Sequence, residues 1–345
     1  MQRRFGIDGI YLKWFESYLK KRFQRVVMGG LETEWVQVTS GVPQGSILGP
    51  DLFIMFIDDL PNVLKHSECL LFADDAKIYK LIKCIADCIL LQHDLNSMVA
   101  WCNTWNIRLN LKKCYYMDFT MLRARSINFS YSIKTTALEQ IYQFKDLDVI
   151  FTPNLNFNLH ICEVVGKSYR MLGFMRRILK PFNDISVYLS LYHTLIRSRL
   201  EYCSFIWNPS SQSMIDKIEG IQKKFLKMLS FKLRIRNENL PYNSVCEQFN
   251  FQSLKQRRNM LDLRNFNKLL NGKIDCNQLL SCVNFKVPIT LRDTRNKPLF
   301  SCKCRLLVRK NSPIMRASYL ANKTKLDVLH CCPQSFKALA KAYFS

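Results

Sequence analysis

Leu70-Leu71-Phe72-Ala73-Asp74-Asp75-Ala76-Lys77-Ile78-Tyr79 sets two adjacent carboxylates between two apolar, strand-like runs. Strands at 69–72 and 76–81 with an Asp-Asp turn between them make a hairpin. Two like charges side by side repel, and a bound cation relieves that repulsion. Carboxylate oxygens suit Mg²⁺ or Mn²⁺. In phosphoryl transfer two such ions can activate the attacking oxygen and stabilise the leaving one. Taken alone, the pair reads more readily as a solvated turn, because Asp-Asp is common in turns.

Upstream, Ser40-Gly41-Val42-Pro43-Gln44-Gly45-Ser46-Ile47-Leu48-Gly49-Pro50 is a loop dense in turn residues. It leads into an apolar helix over 52–60 that stops near Pro61. Such a loop places flexible backbone at a helix start, where N–H groups can meet a phosphate or a base. A structural turn before a helix is the plain alternative. Farther back, 7–21 has roughly helical apolar spacing, 22–27 and 36–39 read as paired strands, and Gly29-Gly30 as their turn.

Downstream, Leu91, Leu95, Met98, Cys102 and Trp105 step by three or four residues, the mark of one helix face. Short strands are expected near 114–120, 127–133 and 147–151. From His160 onward the pattern turns helical, with helices at about 160–180, 184–203 and 211–230 parted by Pro181 and Pro209. Strands mixed with helices, then helices alone, predict an α+β fold with a helical domain behind it. The expected divisions are 1–152, 153–232 and a basic region over 233–345.

The net charge of the 345-residue chain is +24. Residues 1–104 hold 11 Lys+Arg against 12 Asp+Glu, whereas 105–345 hold 40 against 15. A near-neutral first part joined to a strongly basic remainder points to a polyanion partner, nucleic acid ahead of a membrane surface. No apolar run reaches the roughly 18–20 residues needed to cross a bilayer, and the first residues do not read as a signal peptide. The 14 cysteines show no secreted disulfide pattern and fit a reducing, intracellular setting. Cys302-Lys303-Cys304 and His330-Cys331-Cys332 lack the paired spacing of a zinc finger.

The loop and the hairpin together resemble the reverse transcriptases of non-LTR retrotransposons, the jockey-like elements in particular. Their motif S-G-x-P-Q-G-S-x-L-G-P is present at every fixed position over 40–50, and [FY]-A-D-D at 72–75. Ile57-Asp58-Asp59-Leu60-Pro61 matches their asparagine-aspartate-leucine-proline ending, with Asp58 in the asparagine's place. Trp105 to Cys114 looks like the segment closing on a lysine-cysteine pair. Phe144-Lys145-Asp146-Leu147-Asp148-Val149 looks like the primer grip, with Asp148 replacing a glycine. Leu191 to Arg197, Leu200-Glu201-Tyr202 and Trp207-Asn208-Pro209 resemble the thumb; 292–300 and 311–314 resemble the C-terminal tail.

The resemblance implies a partial polymerase palm, an antiparallel sheet with helices, followed by a helical thumb. It implies RNA-directed DNA polymerisation with Mg²⁺ (or Mn²⁺), an RNA template, a DNA primer and deoxynucleoside triphosphates, acting in the nucleus. Asp74 would ligate the metals and Asp75 support it. Phe72 would lie near the primer end, and Pro43, Gln44 and Gly45 around the incoming nucleotide and template. Lys113 would face the leaving pyrophosphate, or else be a solvated lysine. The basic thumb candidates are Lys167, Arg170, Arg176, Arg177 and Lys180, with Tyr169 and Phe174 between them. Basic side chains of this kind hold phosphates and aromatics can stack on bases, although Phe174 reads rather as core. The family's third carboxylate, in a motif like F-x-D-x-x-K-A-F-D ahead of 7–21, is not found. Little polymerisation is therefore expected from this chain alone; a non-catalytic nucleic-acid-binding remnant is the alternative.

Overall fold

The computed structural model describes residues 5–120, 127–234, 242–285, 299, 307–324 and 326–344. Two compact units divide the chain: 1–116 with 125–141, and 117–124 with 142–345. The tail-like stretch 292–300, apart from Leu299, and the Cys302-Lys303-Cys304 run lie outside the described residues.

The first unit opens with α1 (Gly9–Leu19), which buries no residue fully. The hairpin that follows is built in two steps. β1 (Arg22–Gln24) pairs with β4 (Val36–Val38), and β2 (Val27–Met28) with β3 (Leu31–Glu32). Gly29 and Gly30 turn it with φ of 58° and 85°. Both angles are positive, the two-residue turn whose twist matches paired strands and which glycine adopts without strain. Next comes α2 (Gly49–Ile57), with Pro50 in its first turn, where a missing N–H costs nothing.

β5 (Glu68–Phe72) and β6 (Asp75–Tyr79) form the antiparallel hairpin expected at 69–81. α3 (Ile85–Thr104) starts on a capping box in which the Asp87 carboxylate accepts from the backbone N–H of Lys83 and Cys84. The buried face of α3 carries Met98, Trp101 and Cys102. Trp105, expected on that face, is half exposed. It is the cap residue, past the last turn, and its ring packs edge-on against Phe56 at 5.6 Å. Ile57, Leu60, Leu64, Met98, Trp101, Cys102 and Ile133 form the unit's core, and Cys69, Leu71 and Ile78 pack on it from the hairpin. Short ladders complete the unit: β7 (Tyr115–Tyr116), β8 (Ser132–Ile133), β9 (Thr136–Ala137) and β10 (Glu139–Gln140). Every described ladder is two-stranded; β7 and β10 run parallel and the others antiparallel.

The second unit begins with the hairpin of β11 (Phe144–Asp146) and β12 (Val149–Phe151). Leu147 and Asp148 turn it with φ of 43° and 68°. Both lie in the left-handed region, so the glycine expected at 148 would have been strain-free; aspartate tolerates the region better than most residues.

Helices follow: α4 (Asn158–Ile178), α5 (Ile185–Leu191), α6 (Ser198–Glu201), α7 (Ser204–Trp207) and α8 (Gln212–Lys232). The helix expected over 184–203 is interrupted. Residues 192–197 form a π-helical turn, and Cys203 at φ 50° ends the run. α9 (Tyr242–Gln248), α10 (Leu254–Leu270), α11 (Asn277–Ser281), α12 (Leu307–Lys310), α13 (Pro313–Thr324) and α14 (Pro333–Phe344) close the chain.

One core joins α4, α5, the π turn, α8 and the start of α10 through Ile161, Leu172, Tyr188, Tyr192, Phe225 and Leu254; another joins α10, α13 and α14 through Leu263, Phe266, Ala317 and Phe336. Buried Glu219 of α8 accepts from the backbone N–H of Leu254 and Lys255. A carboxylate from a neighbouring helix thus caps the free donors at the start of α10.

Candidate active site

The β5–β6 register pairs Phe72 with Asp75, so Ala73-Asp74 is the whole loop of the hairpin. Ala73 sits at φ 49°. A non-glycine residue there costs about 1–2 kcal/mol. Strain of this kind is held only where the surroundings fix it. Here the fixing comes from the pleat. Cys69, Leu71 and Ile78 face the core, while Leu70 and Phe72 are 51% and 57% exposed on the other face. Asp75 lies opposite Phe72 on that outer face, and Asp74 stands at the tip; both carboxylates are exposed.

The loop before α2 is equally specific. Ser46 N–H donates to the Pro43 carbonyl at 3.3 Å, and Gly45 at φ 76° occupies the third position of that turn. This is a type II turn, which needs a positive φ at that position. The Ser46 hydroxyl donates to the Pro43 carbonyl at 2.7 Å and accepts from Gly49 N–H at 3.0 Å. It therefore ties the turn to the start of α2. A Cβ on Gly49 would stand 3.0 Å from the Ser46 Oγ, which accounts for glycine at that position. Gln44 and Gly45 are exposed and Pro43 is half-buried. A cavity of about 300 Å³ opens beside the loop, lined by Phe15, Leu48, Asp51, Leu52, Ile54 and Met55.

Loop and hairpin are held through shared packing, because Phe53 and Ile57 of α2 lie in the same core as Leu71 and Ile78. The Asp59 carboxylate accepts from the Trp101 indole N–H at 3.1 Å, which binds the end of the α2 segment to α3. Leu111 and Cys114 anchor the turn that carries Lys113 to that core, and Lys113 itself is exposed.

In the second unit, α4 buries Ile161, Val164, Val165, Ser168, Leu172 and Met175. Glu163, Lys167, Arg170, Phe174 and Arg177 follow one another in steps of four and three residues. At about 100° per residue this row lies opposite the buried one. Phe174 is 47% exposed and does not join the core, contrary to the expectation from its spacing. The core row of α4 simply runs along the other side.

Lys167 is ion-paired with Glu163, whose carboxyl the Lys167 hydrogen bond holds below its ordinary range. Arg170 and Arg177 project freely to solvent on that row. Arg176 and Lys180 lie off it. Arg176 is seven residues beyond Tyr169, whose ring lies 4.5 Å from the Lys224 ammonium of α8, and the Lys180 carbonyl accepts from Lys232 of α8. The exposed face of α8 adds Lys217, Lys223, Lys224 and Lys227. Their signal was in the sequence: each falls between the apolar positions of an amphipathic helix.

Lys145, in the primer-grip-like hairpin, pairs with Asp148 at 2.6 Å and holds that carboxyl below its usual range. The acidic residue standing for a glycine is thus neutralised locally.

A family model described as reverse transcriptase (RNA-dependent DNA polymerase) matches residues 2–175. That span is just over half of the chain and includes the loop, the hairpin and most of α4. The chain belongs to the reverse transcriptase family.

Among curated relatives, this reverse transcriptase-family chain is 26% identical over 225 residues to the RNA-directed DNA polymerase from mobile element jockey of Drosophila melanogaster, across 62% of the chain and 24% of the relative. It is 28% identical over 233 residues to a probable RNA-directed DNA polymerase from transposon X-element of the same fly, across 64% of the chain and 25% of the relative. It is 30% identical over 134 residues to a retrovirus-related Pol polyprotein from type-1 retrotransposable element R2 of Popillia japonica, across 36% and 22%. The chain thus spans about a quarter of the length of the curated relatives it matches. The jockey, X-element and R2 matches set this reverse transcriptase domain among those of non-LTR retrotransposons. No described helix is long and apolar enough to cross a membrane.

Proposed function

We propose that the chain is the C-terminal part of the palm (1–152), the thumb (153–232) and a basic extension (233–345) of an RNA-directed DNA polymerase. The observation that carries this reading is the Asp74-Asp75 pair, exposed at the tip of a hairpin whose other face is locked into the same core as α2. In this reading Asp74 is the principal ligand of Mg²⁺ (or Mn²⁺) and Asp75 supports it. Phe72 lies beside the primer end. Pro43, Gln44 and Gly45 border the incoming deoxynucleoside triphosphate and the template, and Lys113 faces the leaving pyrophosphate. Lys167, Arg170, Arg176, Arg177 and Lys180 hold the phosphates of the RNA template and DNA primer, and the setting is the nucleus.

The residues fit one magnesium ion. Mg²⁺ is commonly held by one or two carboxylates with substrate phosphates and water, and it would supply neutralisation of the triphosphate charge. A two-metal site needs a further bridging carboxylate. Among the described residues no third Asp, Glu, His or Cys stands with Asp74 and Asp75 as a ligand group. These 345 residues by themselves therefore bind primer–template and extend it little or not at all. That same observation favours the second reading, nucleic-acid binding without catalysis.

The test is primer extension on an RNA template with Mg²⁺ or Mn²⁺, beside Asp74→Ala. Robust extension lost in Asp74→Ala would establish polymerisation and overturn the incomplete-site reading. Extension that persists in Asp74→Ala would remove the hairpin from the chemistry. Binding of primer–template with metal-independent affinity and no extension is the outcome expected of the second reading.

A further inference from the structure

At the opposite end of β5 from the Asp pair, two histidines and a carboxylate meet. His66 stands two residues before β5; His93 and Asp94 lie on α3. One ligand atom from each lies within 4.8 Å of the others, the group of this kind found among the described residues. The two rings meet edge to face with centroids 5.8 Å apart, and His93 Nδ1 is 3.8 Å from Asp94 Oδ1.

The three side chains differ in freedom. His66 and His93 are exposed and can turn. Asp94 is fully buried and fixed: Lys65 N–H donates to Oδ1 at 3.1 Å, and His66 N–H and the Ser67 hydroxyl donate to Oδ2 at 2.8 and 2.7 Å. A carboxylate offers about four acceptor positions. The Ser67 backbone N–H is a fourth donor to this carboxylate, so all four positions are in use; Oδ1 is the oxygen nearer His93. A cation at Oδ1 therefore shares the carboxylate with these donors. The donors then serve as the outer shell that orients a metal-ligating carboxylate.

We infer that His66, His93 and Asp94 form a site for a borderline divalent cation, Zn²⁺ foremost. Imidazole nitrogens favour such an ion over Mg²⁺. Three protein ligands with water as the fourth is a familiar zinc arrangement. Zn–N and Zn–O bonds of about 2.0–2.2 Å put tetrahedral ligands roughly 3.4 Å apart. The histidines must therefore close by somewhat more than an ångström, within reach of exposed rings. Lys80 opposes the cation, since its ammonium donates to the His66 carbonyl at 2.7 Å, so binding is of moderate strength. The site is distinct from the Asp pair: eight residues of extended chain separate His66 from Asp74, roughly 26 Å. A bound ion would pin the start of β5 to α3. The inference stands apart from the polymerase reading, because neither the Asp pair nor catalysis enters it.

Cobalt(II) reports ligand type, which matters in a chain with 14 cysteines. The full chain is titrated with Co²⁺ and followed by visible absorption. The expected result is one Co²⁺ per chain with ligand-field bands of nitrogen and oxygen donors and no thiolate charge-transfer band. Zn²⁺ should displace it, and excess Mg²⁺ should not. The paired variant His66→Ala with His93→Ala should lose the spectrum while keeping the far-UV circular dichroism of the parent. Asp94→Asn is a secondary variant, since Asp94 also holds the fold. Absence of binding, an unchanged spectrum in the histidine variant, a dominant thiolate band or displacement by Mg²⁺ would each overturn the site.

Discussion

The row Lys167-Arg170-Phe174-Arg177 on α4 can be tested by charge arithmetic. Each phosphate neutralised on duplex DNA contributes about 0.9 to the slope of log affinity against log salt. Arg170 and Arg177 are exposed and count in full, whereas Lys167 shares its charge with Glu163 and counts in part. Replacing all three with glutamine should therefore lower the slope by about 1.8 to 2.7. Over a fourfold rise from 50 to 200 mM salt, the affinity lost by the parent should exceed that lost by the variant by roughly 10- to 40-fold. All three side chains face away from the core, so stability should stay within about 0.5 kcal/mol.

The assay is fluorescence anisotropy on a labelled duplex at several salt concentrations, with a control that removes the same charge elsewhere: Lys310, Lys323 and Lys337, exposed on α12, α13 and α14. Phe174→Ala completes the set. If its ring stacks on a base, affinity for a labelled single strand should fall by about 1–3 kcal/mol, with the salt slope unchanged. An equal drop in slope for the α4 variant and the control would mean that the whole basic surface acts diffusely. That result, or no drop at all, refutes the row as a contact.

Other outcomes follow from single features. Ala73→Gly should relieve the left-handed backbone at the hairpin tip and stabilise the first unit by up to about 1 kcal/mol, read by urea denaturation; destabilisation would show that Ala73 makes contacts that outweigh its backbone. Asp262→Ala should destabilise the second unit by about 3–5 kcal/mol. The buried Asp262 carboxylate accepts from Arg316 at 2.7 Å and Asn208 at 2.8 Å, and the Nη atoms of fully buried Arg258 have no hydrogen-bond partner among the described residues; a change under about 0.5 kcal/mol, as at an ordinary surface site, would sink that reading. Stability should also decline as pH falls from 7 toward 5. Burial holds the imidazole of His160 below its ordinary pKa, and its Nδ1 accepts from Ile150 N–H at 3.3 Å. Because the folded pKa is the lower one, the contribution is whole above the unfolded value of about 6.5 and is lost as pH drops from there through the folded value. His160→Leu should flatten this dependence in thermal melts but not abolish it, since burial lowers His193 in the same direction.

What could be read from the sequence divides by distance along the chain. The turn-rich loop at 40–50, the glycine turn at 29–30 and the β5–β6 hairpin were all legible, because each is decided by residues within a few positions of one another. Periodicity located α3 with most of its face, through Leu95, Met98 and Cys102, and located α4 without deciding its face. In α3 the buried indole is Trp101, and Trp105 at the cap falls outside. In α4 a row through Phe174 has helical spacing just as the core row does. Only the second helix, α8, decides which row is buried. The His66, His93 and Asp94 cluster was illegible for the same reason: 27 residues separate His66 from His93, and nothing in either stretch signals that Asp94 will fold back onto the backbone at 65–67.

Distance along the chain also explains why the two halves of the candidate machinery differ in standing. The Asp pair is positioned by its own hairpin, so its geometry follows from ten consecutive residues. A metal site assembled from more than one strand has no such local guarantee. Asp74 and Asp75 are exposed, Ala73 at φ 49° shapes the tip that carries Asp74, and the core beneath fixes the outer face that Asp75 shares with Phe72. What the hairpin supplies is a rigid mount for two carboxylates. Whether a mount becomes a polymerase centre depends on a partner carboxylate brought from elsewhere in the fold. On the proposed two-metal reading, excess Mn²⁺ does not replace that group, because a third ligand sets where the ions sit and not merely how many are in solution. For this chain alone, then, raising the metal concentration should increase occupancy of Asp74-Asp75 without raising primer extension in proportion. Extension that climbed with metal to the level of a complete enzyme would show that two carboxylates suffice.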